Sequence, residues 1–232
     1  MSTILECRNL TKTYGAKKAL DHINLKLDSG KIIGLLGPNG SGKTTILKLI
    51  NRLLTVSDGQ LLIDGMEPGV KTKAIVAYLP ERTYLNPNMK IYEILNYFSD
   101  FYEDFDRGRA ENMLQKLNLS TQARIKTLSK GSREKVQLVL VMSRRAKLYC
   151  LDEPIAGVDP AAREYILNTI LNNYDENATI LISTHLIADV ENILDEVVFI
   201  KDGKIRMHES ADDIRFLKQK SVDELFREVF QC

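Results

Sequence analysis

The segment Gly37-Pro38-Asn39-Gly40-Ser41-Gly42-Lys43-Thr44 constrains this 232-residue chain more than any other. It fits the pattern G-x-x-x-x-G-K-[ST] at every fixed position, and that pattern works only between a strand and a helix. An apolar run, Ile32 to Leu36, precedes it, and a helix-period segment, Thr44 to Leu54, follows. A glycine-rich turn in that setting curls its N–H groups around phosphate oxygens while the helix aims its positive dipole end at them. Lys43 is expected to reach the β- and γ-phosphates of a nucleoside triphosphate, and the Thr44 hydroxyl to ligate Mg²⁺.

Charge and cysteine content narrow the partners. Lys and Arg total 32 against 31 for Asp and Glu, so no overall basic field argues for nucleic acid. Cys7, Cys150 and Cys232 are few, odd in number and without C-x-x-C spacing, which suggests neither a disulfide framework nor a zinc site and fits a reducing cytoplasm. The longest apolar stretches, such as Val136 to Met142, fall far short of the ~20 residues of a membrane helix. Glu6 and Arg8 sit where a signal peptide would be apolar, so the chain is expected to be soluble and to meet a membrane only through a partner.

The order of elements predicts an α/β fold. Residues 3 to 37 read as strands with a turn at Asp28-Ser29-Gly30; Gln60 to Asp64 and Ala74 to Leu79 read as further strands. From Lys90 to Ala146 the pattern is helical, with Ile91, Ile94, Leu95 and Phe98 on one face. Leu148 to Leu151 and Thr179 to Ile182, separated by a helix from Pro160 to about Leu171, follow the βαβ grammar of a parallel sheet. Val197 to Met207 reads as a hairpin turning at Asp202-Gly203, and Ala211 to Phe230 as a charged amphipathic helical tail.

Two further segments carry chemistry. A buried strand ends in Asp152-Glu153: Asp152 is the candidate metal-side carboxylate and Glu153 the candidate general base for an attacking water. His185 ends another strand at the sheet edge where ligands bind, and could donate a hydrogen bond to the γ-phosphate. His22 and His208 lie in no such context and are expected to be exposed.

Leu128-Ser129-Lys130-Gly131-Ser132 resembles the L-S-G-G-Q signature of ABC ATPases. With the phosphate loop, Asp152-Glu153, Ala156-Gly157-Val158-Asp159 at the D-loop position and His185, five elements stand in that family's order across nearly the whole chain. The resemblance implies one nucleotide-binding unit: a P-loop core of mostly parallel sheet (about 1–85 and 147–210) with an N-terminal antiparallel β region. It also implies an inserted helical subdomain (about 86–146) and a helical tail (about 211–232). ATP would be held by Gly37, Pro38, Asn39, Gly40, Ser41, Gly42, Lys43, Thr44 and Thr45. Tyr14 would stack on adenine, a contact worth roughly 1–3 kcal/mol by analogy with base stacking; the alternative is a packed strand-edge tyrosine. Ser129 and Gly131 would touch the γ-phosphate of a second subunit across a head-to-tail dimer, with Asp159 at that interface. Metal would lie at Thr44 and Asp152, and catalysis would rest on Glu153, His185 and Lys43.

Departures from the family pattern bear on this picture. Glu81 stands where glutamine is usual and would either ligate Mg²⁺ or weaken ATP binding by repulsion; a plain loop glutamate paired with Arg82 is the alternative. Lys130 and Ser132 alter the signature. The lysine could meet phosphate or point to solvent, and both homodimer and heterodimer remain open. The aromatic segment Tyr92 to Phe105 could receive a membrane subunit or pack within the helical subdomain. The resemblance thus implies an ATPase at the cytoplasmic face of the cell membrane that drives a separate permease, on the export side. The rivals are a soluble ABC ATPase remodelling a non-membrane partner and a catalytically poor binding module.

Overall fold

The structure is a computed structural model and describes residues 2–230, without the side chains of Ala161 and Ala162. The last two residues of the expected tail, Gln231 and Cys232, lie outside the described residues. The chain opens with strands β1 (Thr3–Tyr14), β2 (Lys17–Asp28) and β3 (Ile32–Leu36), then helix α1 (Lys43–Ile50) and β4 (Asp58–Ile63). Next come α2 (Val70–Ile75), β5 (Val76–Leu79), α3 (Ile91–Phe101), α4 (Arg107–Lys116) and α5 (Lys130–Met142). The last third holds β6 (Leu148–Asp152), α6 (Pro160–Asn172), β7 (Thr179–Thr184), α7 (Ile187–Val190), β8 (Glu196–Lys201), β9 (Lys204–Ser210), α8 (Ala211–Leu217) and α9 (Val222–Phe230).

Two sheets result. One is antiparallel, in the order β2-β1-β4; the other has the order β5-β6-β7-β3-β8-β9 and is parallel except for β9. β3, β6 and β7 are buried at every position, as strands covered on both faces must be. Their alternate side chains feed two cores. Ile33 and Leu35, with Leu148, Cys150 and Leu181, pack toward α1 and the antiparallel sheet. Ile32 and Leu36, with Tyr149, Leu151 and Ile180, pack toward α3, α5 and α6.

Two expectations need correction. Ala74 to Leu79 is not one strand: residues up to Ile75 belong to α2, and only Val76–Leu79 pairs with β6. The turn into α2 is fixed by Thr72, whose hydroxyl accepts from Gly69 N at 2.8 Å. The helix after the phosphate loop stops at Ile50, short of Leu54. The expected helical tail forms two helices, α8 and α9, and Phe226 and Phe230 pack on the fully buried Phe199 with ring centroids 5.3 and 5.8 Å away.

Candidate functional site

Parallel strands place their C-terminal ends together, and here β3, β6 and β7 deliver the phosphate loop, Asp152-Glu153 and Thr184-His185 to one edge. The loop is built tightly. A Cβ on Gly37 would lie 2.2 Å from Ile200 O, and Gly42, at φ +116°, backs onto Ala19 O. Gly42 is also the N-cap of α1 and makes no side-chain cap bond, so the helix offers its first N–H groups and dipole to the cleft.

The cleft, about 470 Å³, is lined by Tyr14, Asn39, Gly40, Gly42, Lys43, Thr44, Thr45, Glu81, Glu153 and His185, all candidates from the sequence. Lys17, Ala19 and Ala156 line it too; the first two are contributed by β2, whose alternation gives no hint of a site. Tyr14 is half-exposed, with Lys12 Nζ 5.4 Å above its ring, so a face remains for a planar ligand. Gly37 and Pro38 act through their carbonyls, which accept from Lys43 Nζ at 2.8 and 3.3 Å. Ser41 is buried, and its Oγ has no hydrogen-bond partner.

Glu153 sits between Lys43 and His185. Lys43 Nζ is 3.4 Å from Oε1, and His185 Nδ1 is 3.0 Å from Oε2. The carboxylate is mostly covered, 9% exposed, while the imidazole reaches solvent. Glu153 has φ +50°, a left-handed conformation that costs a non-glycine residue about 1 kcal/mol. Its N–H is held by Ser183 O at 2.9 Å. Such strain concentrates where a side chain must be aimed.

Behind it, Asp152 is 1% exposed. Its Oδ1 accepts from Ser183 Oγ at 2.6 Å and Thr44 Oγ1 at 3.1 Å, while Oδ2 is buried without a partner. Burial pushes its carboxyl up, partly offset by those two hydroxyls, with Glu153 and Glu81 adding to the rise. A buried, under-satisfied acidic oxygen next to a threonine hydroxyl fits a hard divalent cation. Among the described residues no cluster of three or more acidic, histidine or cysteine side chains is suited to a metal, so phosphate and water would complete the shell, as Mg²⁺ prefers. Ser183 was missed as a supporting residue. It faces Asp152 in register on the neighbouring strand, a pairing visible only once the strands are aligned.

Ser129, Gly131 and Asp159 lie elsewhere. They line a separate recess of about 330 Å³ with Lys130, Ser132 and Gly157, so a single chain does not bring them to the phosphate loop. Ser129 caps α5, its Oγ accepting from Ser132 N at 3.1 Å. Gly131 has nothing within 4 Å of where a Cβ would stand. Lys130 is mostly exposed, 3.7 Å from Glu134. His22 and His208 are exposed as expected, each beside a carboxylate, Asp21 and Glu196. A concavity larger than the cleft, about 910 Å³, opens at the other ends of β6 and β7 around Lys147, Tyr149 and Ala178 and holds none of these motifs.

Comparison with known proteins identifies the family. Residues 20–156 match the family model described as ABC transporter. An uncharacterized ABC transporter ATP-binding protein of Bacillus subtilis, YdbJ, is 31% identical over 228 residues, covering 96% of this chain and 74% of that protein. The SkfA peptide export ATP-binding protein SkfE of the same organism is 30% identical over 208 residues, 87% of each chain. A solved structure described as the ATP binding subunit of an ABC transporter superposes with a TM-score of 0.88 at 30% identity, covering 98% of this chain and all of the other. With the phosphate loop, the Asp152-Glu153 strand end and the displaced signature helix set in one such framework, the chain belongs to the ABC transporter family as an ATP-binding subunit.

Proposed function

We propose that this chain hydrolyses MgATP between two head-to-tail copies, or one copy and a related subunit, and thereby drives a separate membrane permease at the cytoplasmic face of the cell membrane. The observation that carries the reading is Glu153 clamped between Lys43 and His185 in a cleft whose partner elements, Ser129 and Gly131, lie in a different recess of the same chain. A second subunit in inverted orientation would close the signature recess of one chain over the phosphate loop of the other. Lys43 would leave the Gly37 and Pro38 carbonyls for phosphate oxygens. Glu153, released from that lysine, would take the proton of the attacking water. His185 would hold the far carboxylate oxygen or donate to the γ-phosphate. Mg²⁺ at Thr44 and Asp152 would neutralise developing phosphate charge. Tyr14 would stack on adenine, and Asp159 would lie at the interface.

Among the described residues no helix is long and apolar enough to cross a membrane, and in this reading the permease is a separate polypeptide. On α3, Tyr97 and Phe101 are both more than half exposed and stack at 4.4 Å, while Phe98, Tyr102 and Phe105 pack inward. The outer pair supports docking of a permease. The relatives named for SkfA peptide export and for lantibiotic transport favour export of a peptide-like cargo.

Glu153→Gln should lower turnover at least ~100-fold, the scale of lost general-base catalysis, and trap an ATP-bound dimer. Captured from host membranes with MgATP, it should retain a multi-span membrane protein in stoichiometric amount. A soluble partner instead would move the reading to a remodelling ATPase, and unchanged turnover would remove Glu153 from the chemistry.

A further inference from the structure

Helix α5 begins at the signature, and about two helical turns along it Gln137 meets the other half of the site. Gln137 is 3% exposed. Its Nε2 donates to Pro80 O at 3.1 Å, and its Oε1 is buried with no hydrogen-bond partner. Reversing the amide would set two acceptors against each other, so the Pro80 carbonyl fixes its orientation. The residue lines a small chamber of about 30 Å³ together with Glu81, Glu134, Asp152 and Glu153. Glu81 in turn faces the nucleotide cleft.

Neighbouring positions on α5, Val136, Leu138 and Val139, are buried hydrocarbon. A hydrocarbon of glutamine's size would fill position 137 without stranding an acceptor, whereas an unmatched buried oxygen costs stability. A cost of this kind in a packed core calls for a reason. The reason visible here is mechanical. Pro80 stiffens the turn that carries Glu81, and the Gln137 bond joins that turn to the same rigid helix that starts at Ser129.

We propose that Gln137 is a positioning residue for ATP-driven closure, tying the Pro80–Glu81 turn of the nucleotide cleft to the signature helix so that a shift at Glu81 is passed to Ser129 and Gly131. This rests on the head-to-tail reading above. Gln137 touches neither nucleotide nor attacking water; it sets where α5 stands when nucleotide is bound.

The test combines Gln137→Met with Glu153→Gln and follows three quantities: the thermal unfolding midpoint, the affinity of the monomer for a fluorescent ATP analogue, and the MgATP concentration at half-dimerisation by light scattering. The midpoint should equal or exceed that of Glu153→Gln alone, and monomer affinity should be unchanged. Half-dimerisation should require at least about fivefold more MgATP, the lower range of coupling between sites. An unchanged half-dimerisation concentration overturns the proposal. So does a midpoint that falls together with dimerisation, because the bond would then be ordinary stabilisation. If Glu153→Gln alone never dimerises with MgATP, the head-to-tail reading itself falls and this inference with it.

Discussion

A carboxylate's setting decides its work, and the chain contains contrasting cases. Asp152 is buried with two hydroxyl donors and a spare oxygen, and Glu153 beside it is caught between Lys43 and His185. Glu196 at the start of β8 has a plainer task. Burial alone would raise its pKa, but hydrogen bonds from Lys31 and His208 more than offset this and hold it below the ordinary value of 4.5. A depressed carboxyl contributes stability above its unfolded pKa and loses it as pH falls through the folded one. Glu196→Gln is therefore expected to cost about 1 kcal/mol near neutrality, a figure kept small by partial exposure, with the gap to wild type narrowing as pH falls below the ordinary value of 4.5. Denaturant melts at pH 7 and pH 3.5 check this; an equal gap at both would show that charge is not the cause. The sequence disclosed Asp152 and Glu153 through their place after an apolar run. It did not disclose Ser183 or Gln137, whose roles depend on partners far along the chain.

At the scale of elements, α5 is a shaft held at its far end. Just beyond it the buried Arg144 donates to Asp104 Oδ1 at 3.0 Å, to Val76 O at 2.7 Å and to Ala74 O at 2.8 Å, with Tyr102 3.9 Å beneath its guanidinium. One side chain thus binds the α3–α4 connection to α2 and β5. Arg144→Lys keeps the charge but cannot reproduce the planar fork. A loss of about 3 kcal/mol is expected, the scale of a broken buried pair, read as a lower urea midpoint at constant slope. A cost under half of that would mean the contacts are replaceable. Elements with a single signature were legible: β6 and β7 as short apolar runs, the β8–β9 hairpin from Asp202-Gly203. The helix α2 was not, because Ala74 and Ile75 continue the apolar pattern of β5, and the cue was a threonine three residues after a glycine.

For the whole molecule, the two halves of the proposed composite site face different recesses. Gly131 is the cleanest probe of that division, since its backbone is not left-handed and a Cβ there would meet nothing within 4 Å. Gly131→Phe is expected to leave the unfolding temperature and monomer ATP binding as in wild type, yet to abolish ATP-driven dimerisation in the Glu153→Gln background. Dimerisation at wild-type ATP concentrations would place the interface elsewhere. Order along the sequence let the family be read from five motifs, and that resemblance already implied that Ser129 acts on a second subunit; the folded chain adds that Ser129 and Lys43 face different recesses. The strand order has one more effect, on the life of the protein before it is finished. Strand β3 leads into the phosphate loop, yet its neighbours are β7 and β8, so Ile32 finds Ile180 only after most of the chain has been made. Pairings between distant segments form late because the intervening loop must be closed first. During synthesis the β1–β2 hairpin and the helices from α3 to α5 can gather early, while the loop that grips phosphate waits without its sheet. A growing chain therefore lacks both sheet neighbours of β3 until its last third has been made.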